Sequence, residues 1–212
     1  MSFWCCRHKS SDTETMLPVE EETTVKVSDS QIKAQKMKVE LQEIWRLSEN
    51  NKRILQDSIE IHYGAGSMQA FEFWKKQKQL DSINYLRIEN LIVQNGWPKI
   101  SVVGKGAVSM AQQVIARQGA EAMTKFLPVL KNAYMQKDAD GLWIAEWEDR
   151  ICVEQKIPQR YGTQGKCRYL ANGEQSCRAY PIADTAGLDD RRKQLGLNSF
   201  ADYAREKGWN DQ

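Results

Sequence analysis

Two long runs of helical periodicity, separated by the pentapeptide YGAGS at 63–67, constrain this chain more than any other feature. The first begins at Ser28-Asp29-Ser30, residues suited to capping a helix N-terminus. Met37, Leu41, Ile44, Trp45, Leu55 and Ile59 then recur mostly at spacings of three and four, which gathers them on one helix face. Leu47 lies to one side of that stripe, and the polar run from Ser48 to Arg53 interrupts it. The second run spans Met68 to Gln94 and carries Phe71, Trp74, Leu80, Ile83, Ile88, Leu91 and Ile92. Gly96 stands where a C-terminal glycine belongs, and Pro98 prevents continuation. Two such helices joined by a short turn form an antiparallel hairpin, whose apolar stripes must be buried against other elements.

The following residues supply that cover. Ala107, Ala111, Val114 and Ile115 predict a small-residue helix suited to close packing, and Met123, Phe126, Leu127, Leu130 and Tyr134 predict another, with Pro128 either kinking it or marking its first turn. Ile144, Trp147 and Ile151 mark a helix from about Leu142 to Val153. The period then changes: residues 165–180 alternate around Asn172-Gly173, a strong two-strand signal that puts Cys167 and Cys177 on facing arms. Two short helices close the chain, one through LDDRRKQL to Gly196, the other from the capping box Ser199–Asp202 to Gly208. The expected fold is mainly α: a long antiparallel helix hairpin packed with several shorter helices and one small β-hairpin. It forms a single domain over 28–209, behind an N-terminal tail at 1–27 whose mix of Ser, Thr and charge has no periodicity.

Composition excludes several classes. A net charge of +2 over 212 residues gives no basic footprint for nucleic acid. No run approaches the roughly 18 apolar residues that a membrane-spanning helix needs. The five cysteines stand at 5, 6, 152, 167 and 177 without a C-x-x-C, and His8 and His62 are the only imidazoles, so no metal site is expected. The plain reading of those cysteines is reduced thiols in a cytoplasmic protein. Cys5 and Cys6, beside Phe3, Trp4 and the basic Arg7 and Lys9, could be acylated and give weak association with a membrane surface. Nucleotide-binding glycine patterns, the nucleophile elbow and H-E-x-x-H are missing, and no cofactor is expected.

The chemistry concentrates late in the chain. In PQRYGTQ, Gln159 and Gln164 each bring two donors and an acceptor, and Tyr161 and Thr163 bring hydroxyls. Gly162 permits a close approach of backbone. Such groups either recognise a polar ligand or brace the loop as a satisfied internal network. Asp149 and Arg150 lie near a helix end, and Asp189, Asp190, Arg191 and Arg192 at a helix start. Of the two adjacent guanidiniums one can turn inward and fork onto a carboxylate, with Asp149 the preferred partner of Arg191 or Arg192, or onto an anionic ligand. Trp97, in a loop between Gly96 and Pro98, either covers a pocket or plugs the end of the hairpin.

Four of these stretches, NGWP (95–98), WEDRICV (147–153), PQRYGTQ (158–164) and AGLDDRRKQLGL (186–197), resemble in order and spacing a family of small bacterial proteins classed only as a domain of unknown function. The resemblance runs from about Leu41 to Gly208. It implies a shared helical fold and a shared polar site, and no activity. Members of that family commonly carry Gln-His on the helix before the Phe/Leu-rich one, where this chain has Arg117-Gln118. The expected function is a non-enzymatic recognition module binding a protein or a small polar or anionic ligand through Trp97, Asp149, Arg150, Gln159, Tyr161, Thr163, Gln164, Asp189, Arg191 and Arg192. The alternative is an enzyme acting on an anionic or amide-bearing substrate with Asp and Arg residues of the same site.

Overall fold

A computed structural model describes residues 28–64, 66–170 and 172–209. The tail at 1–27, with Cys5 and Cys6, lies outside the described residues. The first run is helical as α1 (Asp29–Ile54), passes through a π-helical stretch, Leu55–Glu60, and ends in the single turn α2 (Ile61–Tyr63) at Gly64. Ser67 caps α3 (Met68–Asn95), its hydroxyl accepting the Ala70 N–H at 3.1 Å. Arg87 pairs with Glu40 and the Ser48 hydroxyl reaches Asp81, so positions rise on one helix as they fall on the other. The hairpin is antiparallel, as its short connection requires.

The buried faces differ from the apolar stripes in two places. On α1, Met37, Leu41 and Ile44 are buried as expected, and Ser48 continues the line at 0% exposure, so the polar run extends the packed face instead of interrupting it. On α3, Phe71, Trp74 and Ile83 are exposed at 67%, 51% and 56%, while the inward line is Ala70, Gln77, Asn84, Ile88 and Ile92. The physical reason is the neighbour. The packed face meets polar groups of α1 and its own turn, and Gln77 donates to Asp81 at 2.9 Å within that seam. Apolar residues on α3 therefore lie on two faces, and periodicity alone does not say which one is covered.

The short α4 (Ile100–Val103) leads into α5 (Lys105–Arg117), α6 (Ala120–Met135), which runs through Pro128, and α7 (Gly141–Glu154). Val108, Ala111, Val114 and Ile115 of α5 join Met123, Phe126 and Leu130 of α6 and Ile144 and Trp147 of α7 in one core with Ile88 and Ile92. Small residues on α5 let α1 and α3 approach it closely, and full burial of each large apolar side chain contributes about 1.5–3 kcal/mol. Trp97 belongs to this core. It is 6% exposed and stands edge-on to Trp147, with centroids 6.1 Å apart.

Beyond α7 come the strands β1 (Gly165–Tyr169) and β2 (Gln175–Ala179), antiparallel, with Cys167 opposite Cys177. Those two cysteines are joined as a disulfide, which corrects the expectation of reduced thiols: their direct cross-strand register brings the Cα atoms to 4.0 Å. The chain closes with α8 (Leu188–Gln194) and α9 (Phe200–Glu206), the latter capped by Ser199, which accepts the Asp202 N–H and donates to the Asp202 carboxylate. No helix among the described residues is long and apolar enough to cross a membrane.

The start of α7 is pressed against the turn after α8. A Cβ at Gly141 would lie 2.1 Å from the Leu195 carbonyl oxygen, a backbone atom that cannot turn aside. Gly141→Ala is therefore expected to destabilise the fold by about 1–3 kcal/mol, the usual cost of overpacking, measured as a lowered urea midpoint with unchanged m-value.

Candidate functional site

Asp149 sits inside α7 with 0% exposure, directed at the 159–164 loop. Its Oδ1 accepts the N–H groups of Arg160 (2.7 Å) and Tyr161 (2.9 Å), and its Oδ2 accepts the N–H and hydroxyl of Thr163, both at 2.8 Å. Burial pushes this carboxyl above its ordinary value, and the four hydrogen bonds it accepts pull against that shift. Gln159, also at 0% exposure, closes the loop from the other side. Its Nε2 donates to the carbonyls of Gln164 and Tyr180, and its Oε1 accepts the Gln164 N–H. Gly162 completes the turn at φ +71°, with Phe200 of α9 so close that a Cβ would meet its ring at 2.7 Å. Only glycine satisfies both conditions.

The arginines of α8 hold the same loop by its carbonyls. Arg192, 1% exposed, donates to the carbonyls of Tyr161 and Asn198 and lies over the Tyr203 ring at 4.8 Å. Arg191 donates to the Arg160 carbonyl and pairs with Asp184 at 2.6 Å. The expected Asp149–Arg191/Arg192 pair is thus replaced. The loop lies between acid and base, giving its N–H groups to one and its carbonyls to the other. Asp189 accepts the Phe200 N–H at 2.7 Å and so caps α9. Tyr161 is buried, and burial followed by the field of Glu148 pushes its phenol up from its ordinary value. Glu148 itself bridges Lys131 and Arg160.

Of the expected site residues, the structure gathers Asp149, Gln159, Tyr161, Thr163, Arg191 and Arg192 around one loop, leaves Asp189 at the α8–α9 junction, and sets Trp97 in the core beside a separate 370 Å³ hollow near the start of α1. Arg150 and Gln164 occupy a different place. Both line a 310 Å³ cleft between α5 and α7, with Gln113 and Arg117 on the α5 side and Trp143 and Glu146 on the α7 side. Trp147, whose buried indole N–H has no partner among the described residues, also lines it. Arg117 is anchored to Ser48 and Glu49 and covers Trp45 at 5.3 Å. Arg150 donates through Nε to Glu154 at 3.1 Å, and its two terminal amino groups have no protein partner among the described residues. Glu146 has no cation within ion-pair distance among the described residues, and burial pushes its carboxyl above the ordinary value while the field of Lys207 opposes the shift.

Sequence reasoning missed Gln113, Trp143 and Glu146. The available signal was on α7, where positions 143, 146, 147 and 150 fall at i, i+3, i+4 and i+7 and so share a face. Among the described residues no group of three or more His, Cys, Asp and Glu side chains converges as a metal centre requires.

A family model spans residues 39–208, from the middle of α1 to the end of α9. The chain belongs to DUF6624, a family of unknown function. No curated protein and no solved structure matches the chain. The DUF6624 match thus covers the cleft, the braced loop and the β-hairpin together.

Asp149→Ala would leave the backbone N–H groups of Arg160, Tyr161 and Thr163 unpaired inside the protein and would take one partner from the Thr163 hydroxyl. It is expected to cost about 3 kcal/mol or more, read as a lowered urea midpoint, and to raise amide exchange of Arg160, Tyr161 and Thr163 before that of α5 or α6.

Proposed function

We propose that this chain is a non-enzymatic recognition module that takes a small polar, anionic ligand in the cleft between α5 and α7. One observation carries the reading: Gln164 and Arg150, whose two terminal amino groups have no protein partner among the described residues, line the same concave surface. A guanidinium with two adjacent open donors suits a bidentate hold on a carboxylate or phosphate. The 159–164 loop then acts at one remove. Asp149, Gln159, Arg191 and Arg192 fix its backbone, and that fixes where Gln164 projects. Gln164 is itself weakly held, at 3.5 Å from the Glu146 carbonyl and 3.2 Å from the Thr163 hydroxyl, so it can exchange those bonds for a ligand. The cleft, at 310 Å³, lies at the small end of ordinary ligand sites, about 300–1,000 Å³, which suits a metabolite better than a peptide.

A second reading, an enzyme acting on an anionic or amide-bearing substrate, is favoured by Glu146. A half-buried carboxyl with its affinity for protons raised, at the edge of a concave site, has the attributes of a general acid or base.

A thermal-shift screen against mono- and dicarboxylates, phosphate esters and amides tests both readings. At a hundred times its dissociation constant a bound compound stabilises the chain by about 2.7 kcal/mol. The double variant Arg150→Ala/Gln164→Ala is expected to lose the shift while its own stability changes by under about 1 kcal/mol, because the Arg150–Glu154 pair is an exposed i, i+4 contact. A variant that still responds like the wild type would remove the cleft from consideration. Mass spectrometry of the bound compound after incubation separates module from enzyme: an unchanged mass supports recognition, and conversion that disappears in Glu146→Gln supports catalysis.

A further inference from the structure

The cleft carries charge of both signs, and the way its acid is left unpaired points to the kind of ligand. Glu146 stands four residues before Arg150, the order that a helix favours for an ion pair. The pair is not made. Arg150 turns the other way, to Glu154, and Glu154 is doubly engaged, its Oε1 holding Arg150 and its Oε2 accepting the Ala120 N–H at the start of α6 at 2.8 Å. Glu154 is therefore fixed by the α6–α7 junction and keeps Arg150 with it. What remains on the α7 face is a carboxylate with no cation at ion-pair distance among the described residues, Lys207 acting on it from farther off, beside an indole, Trp143, and one turn further a guanidinium with two open amino groups.

Resting on the reading of the cleft as an anion-accepting site, we infer that its ligand is a small zwitterion of the α-amino-acid kind, its ammonium set between the Glu146 carboxylate and the Trp143 ring and its carboxylate forked by Arg150. A half-buried carboxylate without a direct ion-pair partner is unfavourable, and a ligand cation supplies one. An indole beside that carboxylate adds a face that attracts ammonium. Gln113 and Gln164, neutral groups able to donate and accept, fit the polar atoms that remain. Burial, Asp140 and Asp149 raise the proton affinity of Glu146 and Lys207 lowers it, and a ligand ammonium beside the carboxylate would act in the same direction as Lys207.

Isothermal titration of the full chain with the twenty L-α-amino acids, and with the N-acetyl and C-terminal amide forms of the tightest binder, decides the matter. The free amino acid is expected to bind at least tenfold tighter than either blocked form. Glu146→Gln, close to the native shape, is expected to lose at least tenfold for the free amino acid and under twofold for the N-acetyl form, whereas Arg150→Gln weakens both. Equal affinity for free and N-acetyl forms, with no effect of Glu146→Gln, overturns the zwitterion and leaves the anion reading standing. If no amino acid or derivative binds while a carboxylate or phosphate ester does, the zwitterion falls alone; if nothing in either set binds to chain whose circular dichroism is native, both readings fall.

Discussion

One buried carboxylate organises the C-terminal third of this protein. Asp149 lies on α7, yet every hydrogen bond its side chain accepts comes from the loop that follows that helix. Removing a carboxylate from water is expensive, and hydrogen bonds to charged groups return about 1.5–3 kcal/mol each, so a full set of four donors is what makes the burial tolerable. With the loop's N–H groups drawn to Asp149, its carbonyls point the opposite way, toward Arg191, Arg192 and the Tyr203 hydroxyl. The docking of α8 and α9 is thus a consequence of the same carboxylate. Gln159 extends the arrangement to the β-hairpin by reaching the Tyr180 carbonyl, and its own backbone pairs with Pro181 and Ala183.

The division of labour along α7 follows from helical geometry. Ile144 and Trp147 turn into the core, Asp149 turns toward the loop, and positions 143, 146 and 150 line the cleft. One helix thereby couples the core, the brace and the candidate site, and the loop that the brace fixes returns Gln164 to the cleft wall. The cleft's geometry accordingly depends on residues that never touch its contents. Arg117 makes a parallel connection on the other wall, where its bonds to Ser48 and Glu49 tie α5 to the long hairpin.

Much of this architecture is legible in the sequence. The YGAGS break, the Gly96 terminus, the extent of α7 and the Asn172-Gly173 turn are set by local backbone preference, and local preference survives folding where nothing overrides it. The covered face of α3 is not legible, because apolar residues occupy two of its faces and only the neighbouring helix selects one. Cross-strand register announces that Cys167 and Cys177 meet, but whether two thiols are joined depends on redox conditions that residue order does not encode. The polarity of PQRYGTQ is plain, and its direction is hidden. The same amides and hydroxyls serve a ligand or the chain's own backbone, and which partner they find is a matter of where α7 and α8 stop.

Glu146 and Asp149 bring these threads to a point. Both are carboxyls of one helix, three residues apart, and burial raises the proton affinity of both above their ordinary values of 4.5 and 3.8. The folded state consequently binds each proton more tightly than the unfolded chain does, so each group takes away stability as pH rises from its ordinary value through its folded one. For Asp149 that loss is what burial leaves after four hydrogen bonds have opposed it, and the loop, α8 and α9 depend on those bonds. Glu146 accepts no such bonds among the described residues, and its charge acts on the fold only through the fields it shares with Lys207 and Tyr203. A buried acid that organises backbone has a structural reason for its position. Glu146, whose proton affinity burial also raises, organises no backbone and stands on a concave wall beside an open guanidinium, the placement on which the proposed ammonium contact rests.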